Sequence, residues 1–294
     1  MSADPGSGST VPGPAVSGPG SAPSGGAGAA AAPGGAGGQP ARVVVVTGAG
    51  GGIGRATSLR YAAEGAVVAV VEVDPATCAG AARQIAAAGG TPLEFPIDVA
   101  DEGAVAAMAA AVDERCGRVD VLVHGAIQRM PGHLESLPTE SFDRLLAVGL
   151  RGGFLLGREL GKIMLRQGSG VLVFIGSTAA HAPYPNTGAY APCKAALMML
   201  AKSFALEWAG RGVRSFSVSP GMVRTPMTED LYSRPEILAG RSAMAPLGRI
   251  GNPEEIASLI HYLASAEASY LTGTDVLIDG GFTTSKFMHV PGRD

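Results

Sequence analysis

From Arg42 onward, short runs rich in β-branched residues alternate with longer stretches rich in Ala and Leu. This alternation limits the chain to one kind of architecture. The strand-like runs are 43–47, 67–72, 93–96, 119–124, 171–176, 214–219 and 275–279. Most are continuously apolar, the mark of strands covered on both faces. The helical stretches between them are 52–64, 75–88, 101–116, 139–167, 190–210 and 253–265, with Thr139 and Pro253 where a cap and a first-turn proline belong. The expected fold is α/β: a single doubly wound domain with a mostly parallel seven-stranded sheet flanked by helices. Ligands of such sheets bind beyond the carboxyl ends of the strands. Chemistry is therefore sought just after each run.

The folded part is taken as 41–294, with 222–250 as a lid because Pro226, Pro235 and Pro246 break the rhythm there. Residues 1–40 contain 12 Gly, 7 Pro, 9 Ala and 6 Ser, with Asp4 the only charge. Such a segment buries too little apolar surface to offset its ordering entropy and is expected to be a disordered tail. The net charge of −3 provides no basic field, so nucleic acid and anionic membrane are not expected partners. No run approaches the 18 apolar residues of a membrane span. Cys78, Cys116 and Cys193 are too few and scattered for a disulfide framework or a metal site, and read as reduced thiols of a cytoplasmic protein.

The first strand runs into a helix through Thr47-Gly48-Ala49-Gly50-Gly51-Gly52-Ile53-Gly54. Such a loop is either an ordinary Gly-rich turn or a cradle that brings backbone N–H groups to a pyrophosphate. Context favours the cradle, because Glu72 ends the next strand where a carboxylate reaches the adenosine ribose. A carboxylate there repels a 2′-phosphate, and no Lys or Arg stands in the loop or directly after Glu72. NAD is expected over NADP.

This glycine spacing resembles the short branch of the short-chain dehydrogenase/reductase family, and the resemblance extends over 42–284. It implies a Rossmann-type domain in which Gly48, Gly50, Gly52, Ile53, Gly54, Glu72, Asp98, Val99 and Gly125 bind the dinucleotide. Asp98 and Val99 match the pair that contacts adenine. Pro220, Gly221, Val223 and Thr225 match the segment that holds the nicotinamide carboxamide. Leu271-Thr272-Gly273 and Asp279-Gly280-Gly281 match the C-terminal signature.

Tyr190 and Lys194 are four residues apart and share a helix face, and Pro192 between them requires a helix start near Ala189. A free tyrosine is a poor base at neutral pH. An ammonium one turn away, with the positive nicotinamide ring, is expected to lower its pKa. Ser177 stands 13 residues earlier, just past a strand. The family resemblance implies Tyr190 as general acid/base, Lys194 as holder of the ribose and tuner of Tyr190, and Ser177 as positioner of the carbonyl or alcohol. The chemistry implied is hydride transfer between a secondary alcohol or ketone and nicotinamide.

Two positions depart from the family pattern. The fourth strand ends His124-Gly125-Ala126-Ile127 in place of Asn-Asn-Ala-Gly, and Gly149 stands where the family often has an Asn that links the lysine to a water chain. A relay through the main-chain carbonyl survives glycine; one that needs the side chain is impaired. Retained activity is expected. His124 either adds a polar group near the nicotinamide or caps the strand end. Gly149, Gly153, Gly157 and Gly161 recur every four residues in one helix. Each interior glycine costs ~1 kcal/mol against Ala, so the row is expected to meet a closely packed backbone. The family's intersubunit helix bundle suggests a partner copy in a dimer or tetramer; local softness at a kink is the other reading.

On the substrate side stand Arg129, Tyr184, Asn186, Met222 and Met227, with Gln128, Met130, His133, His181, Leu231 and Tyr232 nearby. This mix suits a medium-sized alcohol or ketone with an apolar body. Two other functions compete: an NADP-preferring ketoreductase, and a catalytically weakened relative kept as a binding or scaffold protein. The intact Ser177, Tyr190 and Lys194 argue against the scaffold.

Overall fold

The computed structural model describes residues 41–288, and the expected tail, 1–40, lies outside the described residues. Seven strands form one sheet: β1 (Val43–Thr47), β2 (Val67–Glu72), β3 (Thr91–Pro96), β4 (Val121–His124), β5 (Gly170–Ile175), β6 (Val213–Pro220) and β7 (Asp275–Ile278). Their order is β3-β2-β1-β4-β5-β6-β7, and every neighbouring pair is parallel. Val44 lies opposite Val68 on one side and Val121 on the other. The order reverses between β1 and β4, and the crevice at such a switch point is where ligands bind.

The helices are α1 (Gly52–Ala62), α2 (Pro75–Ala87), α3 (Glu102–Cys116), α4 (Thr139–Leu146), α5 (Gly152–Gln167), α6 (Tyr190–Trp208), α7 (Glu229–Tyr232), α8 (Pro235–Met244) and α9 (Pro253–Leu263). They cover both faces of the sheet. Val43 and Val45 join one core with Val105, Leu160 and Leu197, while Val44 and Val46 join the other with Tyr61, Ile85 and Ile260. Successive side chains of β1 thus enter opposite cores, which is why its sequence shows no polar alternation.

Three expectations are corrected. The stretch 139–167 is not one α-helix: a π-turn at Ala147–Arg151 separates α4 from α5. Thr139 is not the cap, because extended Pro138 occupies that place and makes no side-chain cap. The glycine row meets its own chain rather than a partner copy. A Cβ at Gly153 would lie 2.9 Å from Leu197 of α6, one at Gly157 2.7 Å from Phe204, and one at Gly161 would overlap Trp208. Beside the row Phe174 stacks on Phe204, ring centroids 5.8 Å apart, and Trp208 lies tilted against Phe204 at 4.5 Å. The glycines let this aromatic ladder approach α5.

Candidate functional site

β1 ends at Thr47, and the chain turns into α1 through glycines. Gly48 has φ +69°, and a Cβ on it would press on the Gly125 and Ala126 backbone at 3.2 Å. A side chain at Gly54 would overlap the Gly48 carbonyl. Gly51, the first cap of α1, makes no side-chain cap, so the helix N-terminus stays open to an anion. The Gly50 N–H donates to Glu72 Oε1 at 2.6 Å. Thr225 comes over the loop, 3.0 Å from where a Cβ of Gly52 would stand. The segment carrying it is fixed by the Gly221 N–H donating to the Ile278 carbonyl and by a bridge from buried Val223 to Gly251. Ile53 packs its side chain against a core, so its backbone is what remains for a ligand.

Beside this loop lies a cavity of about 490 Å³, lined at the ends of β2, β3 and β4 by Glu72, Asp98, Val99, Ala126, Gln128 and Arg144. Asp98 Oδ1 accepts the Ala100 N–H at 2.9 Å, and Oδ2 pairs with Arg144 at 2.7 Å. Burial opposes ionisation of Asp98, yet the Arg144 hydrogen bond and charge, with the Ala100 N–H, hold its carboxyl below the ordinary value. Sequence reading missed Arg144. Only the fold brings α4 to the end of β3, and no local pattern announces it.

The third part of the site lies past β5. Ser177 caps a short turn over Thr178–Ala180, its hydroxyl accepting the Ala179 N–H at 3.1 Å. The chain then enters α6 through Asn186 and Gly188, both at positive φ (+66° and +54°), and Ala189 precedes the helix as expected. Ser177 stands against the Tyr190 hydroxyl and favours its phenolate, as does the charge of Arg129. The Lys194 ammonium donates to the Ile175 carbonyl at 2.6 Å, 5.6 Å from the Tyr190 ring centroid.

The electrostatics of the chain alone work against the expected lowering of the Tyr190 pKa. In the chain alone, burial outweighs Ser177 and Arg129 and holds the Tyr190 phenol above its ordinary pKa. Lys194 is itself buried, which pulls its pKa down to about 8. The expected lowering of the tyrosine therefore needs a further positive charge.

Of the substrate-side residues, Arg129, Tyr184, Asn186 and Met227 are exposed and Met222 is partly buried. Met130 joins Tyr190 beside Leu145, Ala189 and Cys193. Tyr232 does not face an open pocket. It is buried, with Arg241 over its ring at 5.7 Å and Arg224 donating to its carbonyl at 3.0 Å. His181 is engaged by Asp275 at 2.8 Å.

His124 is fully buried between Thr47 and Gly149. Its Nδ1 lies 3.0 Å from Thr47 Oγ1 and its Nε2 2.9 Å from the Gly149 carbonyl. Burial, aided by the Lys194 charge, lowers its pKa to about 4. Between pH 6.5 and about 4 the unfolded chain binds a proton here that the folded chain refuses. The stability held above pH 6.5 is thus lost as pH falls toward 4, by about 3 kcal/mol. Urea unfolding across this range is expected to show that loss, and His124→Gln to remove this part of it. Identical pH slopes in the two proteins would contradict the assignment.

Among the described residues, no helix is long and apolar enough to cross a membrane. A family model described as Enoyl-(Acyl carrier protein) reductase matches residues 48–283. The chain is 38% identical over 247 residues to 2-(R)-hydroxypropyl-CoM dehydrogenase of Xanthobacter autotrophicus, covering 83% of this chain and 99% of that one. A short-chain type dehydrogenase/reductase from Mycobacterium marinum superposes with TM-score 0.77 at 35% identity, over 82% of this chain and 95% of the other. The RhlG/NADP active-site complex of Pseudomonas aeruginosa gives TM-score 0.76 at 31% identity, over 82% and 96%.

Proposed function

The chain belongs to the short-chain dehydrogenase/reductase family, and from that premise we propose that it is an NAD(H)-dependent enzyme interconverting a secondary alcohol and a ketone, with Tyr190 moving the proton. The observation that carries this reading is the meeting of Ser177, Tyr190 and Lys194 at the carboxyl end of β5. The rest of the crevice fits a dinucleotide: side chains are crowded out at Gly48, Gly50, Gly52 and Gly54 of the loop, the helix N-terminus is open, and acidic groups line the adjoining cavity.

Bound there, the dinucleotide supplies the acceptor or donor of the hydride. The backbone of 48–54 would cradle its pyrophosphate, with the N–H groups of 51–54 left to donate because those of Gly48 and Gly50 are held by the Val71 carbonyl and Glu72; Glu72 would take the adenosine ribose, and Asp98 and Val99 the adenine. Gly125, Pro220, Gly221, Val223 and Thr225 line the nicotinamide end, and Lys194 holds the second ribose. Ser177 orients the substrate oxygen. Tyr190 gives that oxygen a proton in reduction and removes one in oxidation. A phenol is protonated at neutral pH, and burial adds to that preference, so the acid form is the resting state of the chain alone. The positive charge of an oxidised nicotinamide ring held in this crevice would favour the base form. Arg129, Tyr184, Asn186, Met222 and Met227 are assigned to the substrate side, and 222–250 to the lid.

Cofactor choice rests on Glu72, whose carboxylate would face a 2′-phosphate. The fold itself accepts either dinucleotide, since a related chain is described with NADP. A panel of secondary alcohols and ketones with NAD(H) and NADP(H), read at the absorbance of reduced nicotinamide, tests both parts. Turnover with NAD(H) well above NADP(H) is expected. Equal or better efficiency with NADP(H) would overturn the cofactor assignment, and no turnover on any member would favour the scaffold reading.

The cytoplasm is the compartment we assign, in keeping with the unpaired Cys78, Cys116 and Cys193. A dimer or tetramer remains part of the proposal on a different surface from the glycine row. An open apolar groove of about 500 Å³, lined by Leu146, Leu150, Phe154 and Leu200, offers a second copy a face. Light scattering that gives a monomer at micromolar concentration would remove it.

A further inference from the structure

We propose that His124 is a positioning residue of this site: its imidazole ties the strand end that opens the glycine loop to the π-turn that packs on the first turn of α6. The inference concerns the reaction proposed above and rests on that reading for its kinetic consequence, although the tie itself does not.

The geometry fixes the direction of each hydrogen bond. The Gly149 carbonyl only accepts, so Nε2 carries the ring hydrogen and donates to it at 2.9 Å. Nδ1 then accepts, and the Thr47 hydroxyl donates to it at 3.0 Å. The same hydroxyl oxygen accepts the N–H groups of Gly125 and Ala126, each at 3.1 Å. A hydroxyl offers one hydrogen and two lone pairs, so Thr47 has none left over. Both ring nitrogens of His124 are likewise engaged. The low pKa of the imidazole agrees with a ring that stays neutral in this setting.

The neighbouring glycines make room for the tie. A Cβ at Gly153 would stand 3.0 Å from His124 Cδ2, so a side chain there would push the imidazole from the carbonyl. A Cβ at Gly149 would stand 2.6 Å from both Cys193 Sγ and Ile127 Cδ1. Cys193 precedes Lys194 and lies one turn after Tyr190. The depth of the π-turn against Cys193 therefore bears directly on the helix turn that carries the reacting groups. Asparagine, which the family often has at the position of Gly149, finds its first carbon blocked here. The hydrogen bond that holds the turn comes instead from the end of β4.

Two substitutions test this. His124→Phe keeps a flat ring of similar size and removes both hydrogen bonds. His124→Gln places an oxygen and an N–H at about the spacing of the two ring nitrogens. The Phe variant is expected to lose kcat by about 10²-fold, the scale of a ~1 Å misplacement of reacting groups, with the Kd for NAD(H) little changed. The Gln variant is expected to recover most of that loss. Amide hydrogen exchange at 147–151, which does not depend on turnover, is expected to speed up in the Phe variant and return toward wild type in the Gln variant. Thr47→Val reports the same tie from its other end and is expected to speed exchange at 147–151, even should the Phe variant fail to fold. Unchanged exchange at 147–151 in the Phe and Val variants would overturn the proposal. So would a Gln variant as impaired as Phe in both readouts, or faster exchange spread evenly over the domain. A wild-type chain with no turnover would refute the reaction and leave the exchange experiment to decide the tie.

Discussion

Tyr190→Phe is expected to bind NAD(H) as the wild type does and to lose turnover by about 10³-fold, within the range that a positioned proton donor contributes. The substitution removes one oxygen from a ring that packs beside Leu145, Ala189 and Cys193 and leaves that packing in place. What disappears is the hydroxyl that Ser177 and Arg129 bias toward phenolate against the pull of burial. No other titratable side chain in the site is assigned to move the proton: Lys194 is turned to the Ile175 carbonyl, and His124 is locked between Thr47 and Gly149. Steady-state kinetics beside cofactor titration separate the two effects. Activity within about tenfold of wild type would mean that the proton travels by another route.

Gly157→Leu is expected to destabilise the fold by about 3 kcal/mol, at the upper end of ordinary overpacking because four carbons are added at once. The gain in helix propensity over glycine, ~1 kcal/mol, works against a larger loss. A Cβ there already stands 2.7 Å from Phe204 and 3.5 Å from Phe174, and both rings are buried. Neither can swing into solvent as a side chain at the rim can. The loss is expected to be independent of protein concentration, since α6 of the same chain fills the row. A variant that keeps its unfolding free energy but dissociates into smaller species would return the row to a subunit interface.

The difference between what the sequence disclosed and what it hid follows from the range of the interactions. The Val-rich runs placed β1 and β2 to the residue, because a strand buried on both faces leaves a continuous apolar record. The glycine loop, Glu72, Ser177, Tyr190 and Lys194 stand out in the sequence because each lies where a strand end or helix start is marked locally. The π-turn at Ala147–Arg151 does not, since one extra residue in a helical turn barely disturbs an apolar pattern. The glycine row was noticed, but periodicity does not say which neighbour faces it; Phe204 and Trp208, more than forty residues on, decide that. Arg144 against Asp98 and His124 against Gly149 are likewise contacts between distant segments. The balance of forces on Tyr190 divides in the same way. The spacing to Lys194 is local, whereas burial of the phenol is a property of the whole fold.

The most direct test of Tyr190 as the proton carrier beside a bound dinucleotide follows an isotope. The protein is given NAD and a secondary alcohol, chosen from the substrate panel, that carries deuterium on its carbinol carbon. Wild type is expected to move the deuterium to C4 of the nicotinamide, and Tyr190→Phe, with cofactor bound, to leave it on the alcohol. Reduced cofactor that forms without the label would contradict direct hydride transfer from the carbinol carbon, and label transferred by the Phe variant at the wild-type rate would contradict the role given to that phenol.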